Sequence, residues 1–309
     1  MKSRDDLLFP PGTQLLGKWH GRRYRIIRRL GSGSQGTVYL AREGGRKVAV
    51  KMAKDRASLT SEINVLKNLD QLLGEPLGPS LFDSDDWAAG GRTISFCAME
   101  YLNGESLAAA MRRKAFDWTA VYMLQLLKDL DRLHRAGYIF GDLKPENIIL
   151  LFPGHTIRCL DFGGATRIGR SVREYTAFYD RGYWGLGTRK AEPGYDLFAC
   201  GMMMIYAALG REFEKSDDGR RQLFQLIQAQ SRLAPYRLVL ARAISGEYVS
   251  ADQMRRELLR CIMDKKTEPA MSGRYQSKAK KETGQWVRAW FAASLIMTAY
   301  ILFVYVYMM

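Results

Sequence analysis

Residues 140–147 read F-G-D-L-K-P-E-N, and the triplet D-F-G follows at residues 161–163. The first stretch lies in a predicted loop between two apolar runs. Phosphoryl transfer requires a carboxylate that orients the attacking hydroxyl, a cation beside the moving phosphate and oxygen ligands for a metal ion. Asp142, Lys144 and Asn147 are of these three types, and the carboxylate of Asp161 offers the second metal ligand. We therefore predict Asp142 and Lys144 as catalytic residues and Asn147 and Asp161 as metal ligands.

Composition restricts the class of protein. A chain of 309 residues that is 47% apolar can bury a large core, in one large or two small domains. Four cysteines without a C-x-x-C pair argue against a zinc site or a disulfide framework and fit a reducing compartment. The net charge of +15 predicts an acidic partner such as nucleic acid or anionic lipid.

The two ends of the chain differ in character. The first residues lack the apolar core of a signal peptide. Residues 289–309 are 21 positions without a charge, long enough for a helix that crosses a bilayer, although a buried soluble helix is the alternative. Basic residues precede this run and none follows it, which predicts a single-pass protein of the cell membrane with its main domain in the cytoplasm and its C-terminus outside.

A glycine-rich turn between two predicted strands is the expected phosphate site. The first strand runs into G-S-G-S-Q-G at residues 31–36, and a β-branched and aromatic run follows at residues 37–40. A dinucleotide-binding motif would pass into a helix instead. Backbone N–H groups can approach phosphates here because glycine has no Cβ; a purely structural hairpin is the alternative. The expected nucleotide contacts are Gly31, Ser32, Gly33, Ser34, Gln35, Gly36 and Val38.

A lysine and a glutamate complete the predicted nucleotide site. Lys51 ends the apolar strand at residues 48–51 and is the expected cation for the nucleotide phosphates. Glu62 lies beside the apolar face of the helix predicted at residues 58–69. An ion pair between the two side chains would hold the lysine in place.

Taken in order, the glycine-rich turn, Lys51, Glu62, D-L-K-P-E-N and D-F-G resemble the Hanks-type, eukaryotic-like protein kinases over about residues 21–263. Lys144, two residues after Asp142, is similar to the serine/threonine branch. The resemblance implies an α+β, two-lobed fold with a small β-rich N-lobe and a helical C-lobe. It implies ATP with Mg²⁺ as cofactors, Mn²⁺ being the alternative metal, and transfer of the γ-phosphate to Ser or Thr of the chain itself and of cytoplasmic proteins.

The expected domain order follows from these segments: an N-terminal arm (1–20), the N-lobe (21–102), the C-lobe (103–263), a basic juxtamembrane linker (264–288) and the transmembrane helix (289–309).

The same resemblance implies roles for residues outside the loop. Residues 99–102 correspond to the hinge that meets adenine, so Glu100 and Leu102 are expected nucleotide contacts, with Glu105 near the ribose. Residues 164–190 resemble an activation segment, in which Thr188 resembles the threonine that hydrogen-bonds the catalytic Asp and Lys. Phe162 and Gly163 complete the metal-binding triplet as structural residues.

Asp196 opens a predicted apolar helix. A buried carboxylate at this position would accept hydrogen bonds from backbone N–H groups of the catalytic loop. A simple N-cap aspartate is the local alternative.

Three departures from the family pattern have consequences. Phe140-Gly141-Asp142 stands where the family has His-Arg-Asp, so a phosphate on the activation segment lacks its usual arginine. Ala191-Glu192-Pro193 replaces Ala-Pro-Glu shortly after Thr188, which predicts a short peptide-docking segment. No domain is expected beyond residues 289–309, and therefore no external sensor.

The catalytic loop and residues 174–193 also resemble a membrane-anchored branch of the family from spore-forming bacilli. That resemblance implies a link with sporulation and DNA as a partner; lipid headgroups or a solvated surface are the alternatives. DNA binding would be non-specific and salt-dependent, and would gather chains for autophosphorylation between neighbours. The candidate contacts are Arg22, Arg23, Arg25, Arg28, Arg29, Lys278, Lys280 and Lys281.

Two other classes of function remain open from the sequence. A catalytically silent, membrane-anchored scaffold that binds nucleotide or DNA would be favoured by loss of Lys51, Asp142 or Asp161, and all three are present. A small-molecule or lipid kinase is favoured by Gly141 before the catalytic aspartate and by the short docking segment.

Overall fold

The strands of the N-lobe form one antiparallel sheet in the order β1-β2-β3-β4-β6-β5. Their bounds are β1 Gln14–Leu16, β2 Arg23–Ser32, β3 Gly36–Glu43, β4 Arg46–Ala53, β5 Leu81–Ala89 and β6 Arg92–Glu100. In β2, Tyr24 and Ile26 are buried while Arg23 and Arg25 are exposed. This two-residue period places one face of the sheet on a core and the other in solvent.

Helix α1, Arg56–Leu73, packs on the sheet beside β4 and β6. It begins where the Asp55 carboxylate accepts a hydrogen bond from the N–H of Ser58 at 2.8 Å, the usual role of an N-cap aspartate. Leu59 and Ile63, one turn apart, are buried in one apolar cluster with Ala49 of β4. The helix therefore presents its apolar face to the strand that ends near Lys51.

The N-terminal arm expected at residues 1–20 contains a short strand among its described residues. Gln14–Leu16 pairs with β2 as an edge strand. Leu7 and Leu15 are buried in the same core as Tyr24, and the Tyr39 hydroxyl donates a hydrogen bond to the Leu7 carbonyl at 2.6 Å. A three-residue strand is too short to show a period in the sequence, so only its pairing with β2 reveals it.

The C-lobe is helical, and its centre is a helix that is buried almost throughout. The helices are α2 Leu107–Arg113, α3 Phe116–Arg135, α4 Pro193–Leu209, α5 Gly219–Ala229, α6 Arg237–Ser245 and α7 Ala251–Thr267. Every residue of α4 from 195 to 208 is buried. Such a helix is apolar on all sides because other elements surround it.

Short paired strands position the two predicted motifs next to each other. The strands are β7 Gly104–Ser106, β8 Tyr138–Ile139, β9 Ile148–Leu151, β10 Ile157–Cys159 and β11 Thr166–Arg167. β9 pairs with β10 and β8 pairs with β11, both antiparallel. Residues 140–147 connect β8 to β9, and residues 160–165 connect β10 to β11, so the pairings bring the two connections side by side.

This computed structural model describes residues 7–33, 36–53 and 55–267. Residues up to Lys265 form one compact unit with the predicted β-rich and helical lobes. Among the helices of these ranges, none has the length and apolar character needed to cross a bilayer. Several predictions lie outside the described residues: Ser34, Gln35, Lys278, Lys280, Lys281, residues 268–288 of the linker and the transmembrane helix at 289–309.

Candidate active site

The catalytic loop joins three polar side chains in one hydrogen-bonded triangle. The Lys144 ammonium donates to Asp142 Oδ2 at 2.7 Å and to the Thr176 hydroxyl oxygen at 2.9 Å. The Thr176 hydroxyl in turn donates to Asp142 Oδ1 at 2.8 Å. Both carboxylate oxygens are thus oriented, and the lysine is held within reach of a phosphate that approaches Asp142. The predicted pairing of a base and a cation is present in the folded chain.

Asn147 and Asp161 present the oxygen atoms that a divalent metal requires. The Asn147 amide nitrogen donates to the Asp142 carbonyl at 2.9 Å, which leaves the amide oxygen as a ligand. Asp161 Oδ1 accepts from the N–H of Gly163 at 3.0 Å and from Lys51 at 3.2 Å. No hydrogen bond between described residues engages Asp161 Oδ2. One amide and one carboxylate oxygen form a hard donor set that fits Mg²⁺.

A buried ion pair fixes the lysine of the nucleotide site. Lys51 Nζ lies 2.6 Å from Glu62 Oε2, and the two side chains are 8% and 3% exposed. Burial by itself would lower the pKa of Lys51, but the carboxylates of Glu62 and Asp161 raise it overall. The pKa of Asp161 is lowered, because Lys51 and the Gly163 N–H outweigh the effect of burial. Lys51 is therefore a fixed cation between the sheet, α1 and the metal-binding carboxylate.

The glycine-rich turn has the strand–turn–strand form expected of a phosphate cover. β2 ends at Ser32, β3 begins at Gly36, and the Gly33 N–H donates to the Gly36 carbonyl at 2.9 Å. A Cβ on Gly36 would lie 2.1 Å from the carbonyl oxygen of Met52, so the neighbouring strand requires glycine there. A Cβ on Gly31 or Gly33 would meet no atom within 4 Å, which leaves room for phosphates.

Asp196 anchors the catalytic loop to α4. Its carboxylate is fully buried and accepts hydrogen bonds from the N–H of Phe140 at 2.7 Å and of Gly141 at 3.0 Å. His134 Nε2 lies 2.8 Å from the same carboxylate and must carry the proton, because a carboxylate only accepts. The folded chain contains the hydrogen bonds that the anchoring role predicted for Asp196 requires. The N-cap alternative is wrong, since Glu192 occupies that position of α4.

The D-F-G triplet is held by packing as well as by hydrogen bonds. Phe162 is buried, and its ring meets that of Phe140 edge to face at 5.4 Å. A Cβ on Gly78 would lie 2.3 Å from the Phe162 ring, so a glycine there lets the ring approach the chain leading into β5. Phe162 thereby joins the catalytic loop to the N-lobe, as expected of a structural residue.

The protein kinase domain family matches residues 24–271. The chain is also 47% identical over 251 residues to the serine/threonine-protein kinase YabT of Bacillus subtilis, a match that covers 81% of this chain and 74% of that protein. This chain belongs to the protein kinase family. It is an ATP-dependent serine/threonine protein kinase of the bacterial Hanks type.

More distant relatives agree with this assignment. The serine/threonine-protein kinase AfsK of Streptomyces coelicolor is 28% identical over 208 residues, covering 60% of this chain and 24% of that protein. The solved structure of vaccinia related kinase 3 matches with a TM-score of 0.62 at 18% identity, over 84% of this chain and 92% of that one. That structural likeness concerns the fold alone.

Thr188 does not hold the position in the kinase that the sequence predicted for it. Thr176 makes the contacts to Asp142 and Lys144, whereas the Thr188 hydroxyl accepts a hydrogen bond from the Lys190 N–H at 3.4 Å and is exposed. The Gly187-Thr188 dipeptide matches the family motif only locally. The contact of Thr176 with Asp142 spans 34 residues, so the folded activation segment decides which threonine reaches the loop.

The peptide-docking segment of the kinase is consequently not short. Ala191-Glu192-Pro193 begins α4, with Glu192 as N-cap and Pro193 as the first helical residue, a favoured proline position. It does not stand for the Ala-Pro-Glu of the family. With Thr176 as the catalytic-loop contact, residues 177–192 are available between that contact and α4.

Gly141, which replaces the family's arginine, has a backbone that favours glycine. Its φ is +83°, and a Cβ there would lie 2.4 Å from the carbonyl oxygen of Gly164. The loop before Asp142 therefore packs directly on the residue after the D-F-G triplet. An arginine at this position would require that contact to open.

The hinge places the predicted adenine-side residues at the end of β6. The Glu100 carboxylate pairs with Arg158 at 3.0 Å and accepts from the Ser80 N–H at 3.2 Å, so only its backbone is left to face the nucleotide. Leu102 is buried, and the Glu105 carboxylate forms an ion pair with Arg113. The nucleotide contacts of Glu100, Leu102 and Glu105 stay predictions.

Proposed function

We propose that this kinase transfers the ATP γ-phosphate with Mg²⁺ held by Asn147 and Asp161. When bound, Mg²⁺ would neutralise charge on the phosphate oxygens. Asp142 orients the hydroxyl of the substrate Ser or Thr and accepts its proton, while Lys144 stabilises charge on the moving phosphate. The observation that supports this proposal is the hydrogen-bonded triangle of Asp142, Lys144 and Thr176. The amide oxygen of Asn147 and the carboxylate of Asp161 are the metal ligands proposed beside it. The test measures ATP affinity with and without Mg²⁺, and we expect Mg²⁺ to increase it. An affinity that Mg²⁺ does not change would count against Asn147 and Asp161 as metal ligands.

We further propose that the kinase is anchored in the cell membrane by residues 289–309, with its catalytic domain in the cytoplasm. The 21 uncharged residues and the basic residues that precede them support this orientation. A reporter fused after Met309 should therefore be active only outside the cell. Cytoplasmic activity of the same fusion would contradict the orientation.

We propose DNA as the activating partner, bound on the exposed face of the N-lobe sheet. Arg25 of β2 pairs in register with Arg42 of β3, and Arg42 pairs with Lys47 of β4. All three side chains are exposed, and register partners project from the same face. They form a basic row across three strands that includes one of the arginines predicted from the sequence.

Within the described ranges, this basic row has no carboxylate partner. No carboxylate among the described residues lies within ion-pair distance of Arg25, Arg42 or Lys47, whereas Glu43 is shared by Arg22 at 3.4 Å and Arg46 at 2.6 Å. Like charges that face each other across strands destabilise a sheet. A polyanion would remove that repulsion, because its phosphates neutralise the bound Lys and Arg side chains and its condensed counterions are released into solution.

DNA bound along this row would gather kinase molecules and promote phosphorylation between them. The test uses the full-length chain in lipid nanodiscs, with an Asp142→Asn chain of different size as the phosphate acceptor. Duplex DNA is expected to increase transfer to that acceptor at low salt. The combined change Arg25→Ala, Arg42→Ala and Lys47→Ala should reduce the slope of log affinity against log salt by about 3, close to one for each lost phosphate contact.

The control is Arg46→Ala, which removes one cation that Glu43 already pairs at 2.6 Å. Its effect on DNA affinity should be smaller than that of the single change Arg42→Ala. If DNA fails to bind the full-length chain at low salt or leaves the rate of transfer unchanged, the row contacts another anion such as a lipid surface. We also propose, from the similarity to YabT, that the kinase acts in sporulating cells.

A further inference from the structure

Arg189 connects two parts of the activation segment that flank Thr176. Its Nε and one terminal nitrogen donate to Asp180 Oδ2 at 2.9 and 2.7 Å. The guanidinium carbon lies 4.0 Å from the centre of the Tyr175 ring, a cation–π contact. Tyr175 immediately precedes Thr176, which holds Asp142 and Lys144. One side chain thus bridges the residue before Thr176 and the carboxylate after it.

Asp180 is the buried centre of this arrangement. It is 0% exposed and accepts further hydrogen bonds from the N–H groups of Gly182 at 3.0 Å and Tyr183 at 2.9 Å. The Tyr195 hydroxyl, in the first turn of α4, donates to it at 2.9 Å. Tyr195 is next to Asp196, which holds the catalytic loop. The activation segment and the catalytic loop are therefore fixed to the same turn of α4 by two buried carboxylates.

Backbone hydrogen bonds fix the position of Arg189 itself. The N–H of Val172 donates to the Arg189 carbonyl at 2.8 Å, and the N–H of Ala191 donates to the Arg170 carbonyl at 2.7 Å. Ser171 and Lys190 form the antiparallel bridge between them. Residues 170–172 and 189–191 of the activation segment are thus paired. This pairing holds the backbone from which the Arg189 side chain projects.

We infer that Arg189 is a positioning residue for phosphoryl transfer. It keeps Tyr175, and through it Thr176, at the distance that orients Asp142 and Lys144, and it keeps residues 177–183 in place for a substrate peptide. Gly141 leaves the catalytic loop without the arginine that other kinases direct at the activation segment. The cation that orders this segment is supplied instead from within it, and its partner is a carboxylate of the same chain.

The test compares Arg189→Ala with wild type in the full-length chain, with myelin basic protein as the acceptor. We expect kcat/KM for that protein to fall between about 10-fold and 100-fold, the scale expected when catalytic groups shift by a fraction of an ångström to an ångström. The KM for the acceptor should rise while the KM for ATP stays unchanged, because the side-chain partners of Arg189, Asp180 and Tyr175, lie outside the predicted nucleotide site. A loss of folded protein alone would lower the apparent kcat and leave both KM values as they are.

A second pair of variants keeps the test decisive if Arg189→Ala does not fold. Tyr175→Ala should raise the KM for the acceptor in the same way, and Tyr175→Phe, which keeps the ring, should retain more activity than Tyr175→Ala. Arg189→Lys should be nearly as impaired as Arg189→Ala, since an ammonium cannot hold Asp180 by two nitrogens and also stack on Tyr175. Arg173→Ala is the matched control, because exposed Arg173 makes no ion pair or side-chain hydrogen bond with a described residue. An unchanged KM for the acceptor in both Arg189→Ala and Tyr175→Ala, or an equal change in Arg173→Ala, would overturn the inference.

Discussion

Asp142→Asn is expected to lower the rate of phosphoryl transfer by about a thousandfold, within the range for loss of a general base. This factor corresponds to about 4 kcal/mol of transition-state free energy. The amide has the shape of the carboxylate and can still meet Lys144 or Thr176 with its oxygen, so the loop should keep its fold. It cannot, however, accept the proton of the attacking hydroxyl.

ATP affinity should change little in this variant, because Lys51 and Glu62 pair with each other and Lys51 with Asp161, while Asp142 pairs with Lys144. Transfer of labelled phosphate and titration calorimetry with ATP measure the two properties on the same protein. Lys51→Ala provides the contrast, since it removes the cation that places the phosphates and should weaken both binding and transfer. Autophosphorylation of the Asp142→Asn chain at a near-normal rate would show that another group acts as base.

Asp196→Asn is expected to lower the free energy of unfolding by about 3 kcal/mol and also to reduce turnover. The carboxylate accepts from the N–H groups of Phe140 and Gly141 and from His134, with both oxygens in use. An amide must turn its NH₂ toward at least one of these donors. That buried contact loses its hydrogen bond, and a released N–H of Phe140 or Gly141 lies within two residues of Asp142.

Denaturant unfolding measures the first effect, and turnover by the folded fraction measures the second. Asp117→Asn is the matched control, because the Asp117 side chain is 66% exposed and pairs only with Lys265 among the described residues. Surface substitutions of this kind change stability by less than about 0.5 kcal/mol. Equal unfolding free energies for wild type and Asp196→Asn would mean that the loop is held by other contacts.

The sequence determined the chemistry of this protein because phosphoryl transfer depends on residue types at short, fixed spacings. Asp142, Lys144 and Asn147 lie within six residues of each other, so their spacing along the chain is enough to predict that they meet in one loop. The partnership of Lys51 with Glu62 was also readable, because a strand end and the next helix face each other across a single turn. The two lobes were an implication of the family resemblance, which those same motifs carried.

The tertiary structure alone decided which distant residues support that chemistry. The sequence pointed to Thr188 through the Gly187-Thr188 dipeptide, whereas the folded segment brings Thr176 to Asp142. No sequence motif marks Arg189 or Asp180, because their ion pair depends on how the activation segment folds before it enters α4. The short edge strand at Gln14–Leu16 likewise has no period of its own. Such contacts join residues far apart in the chain, and their energy is gained only after the backbone between them has been placed.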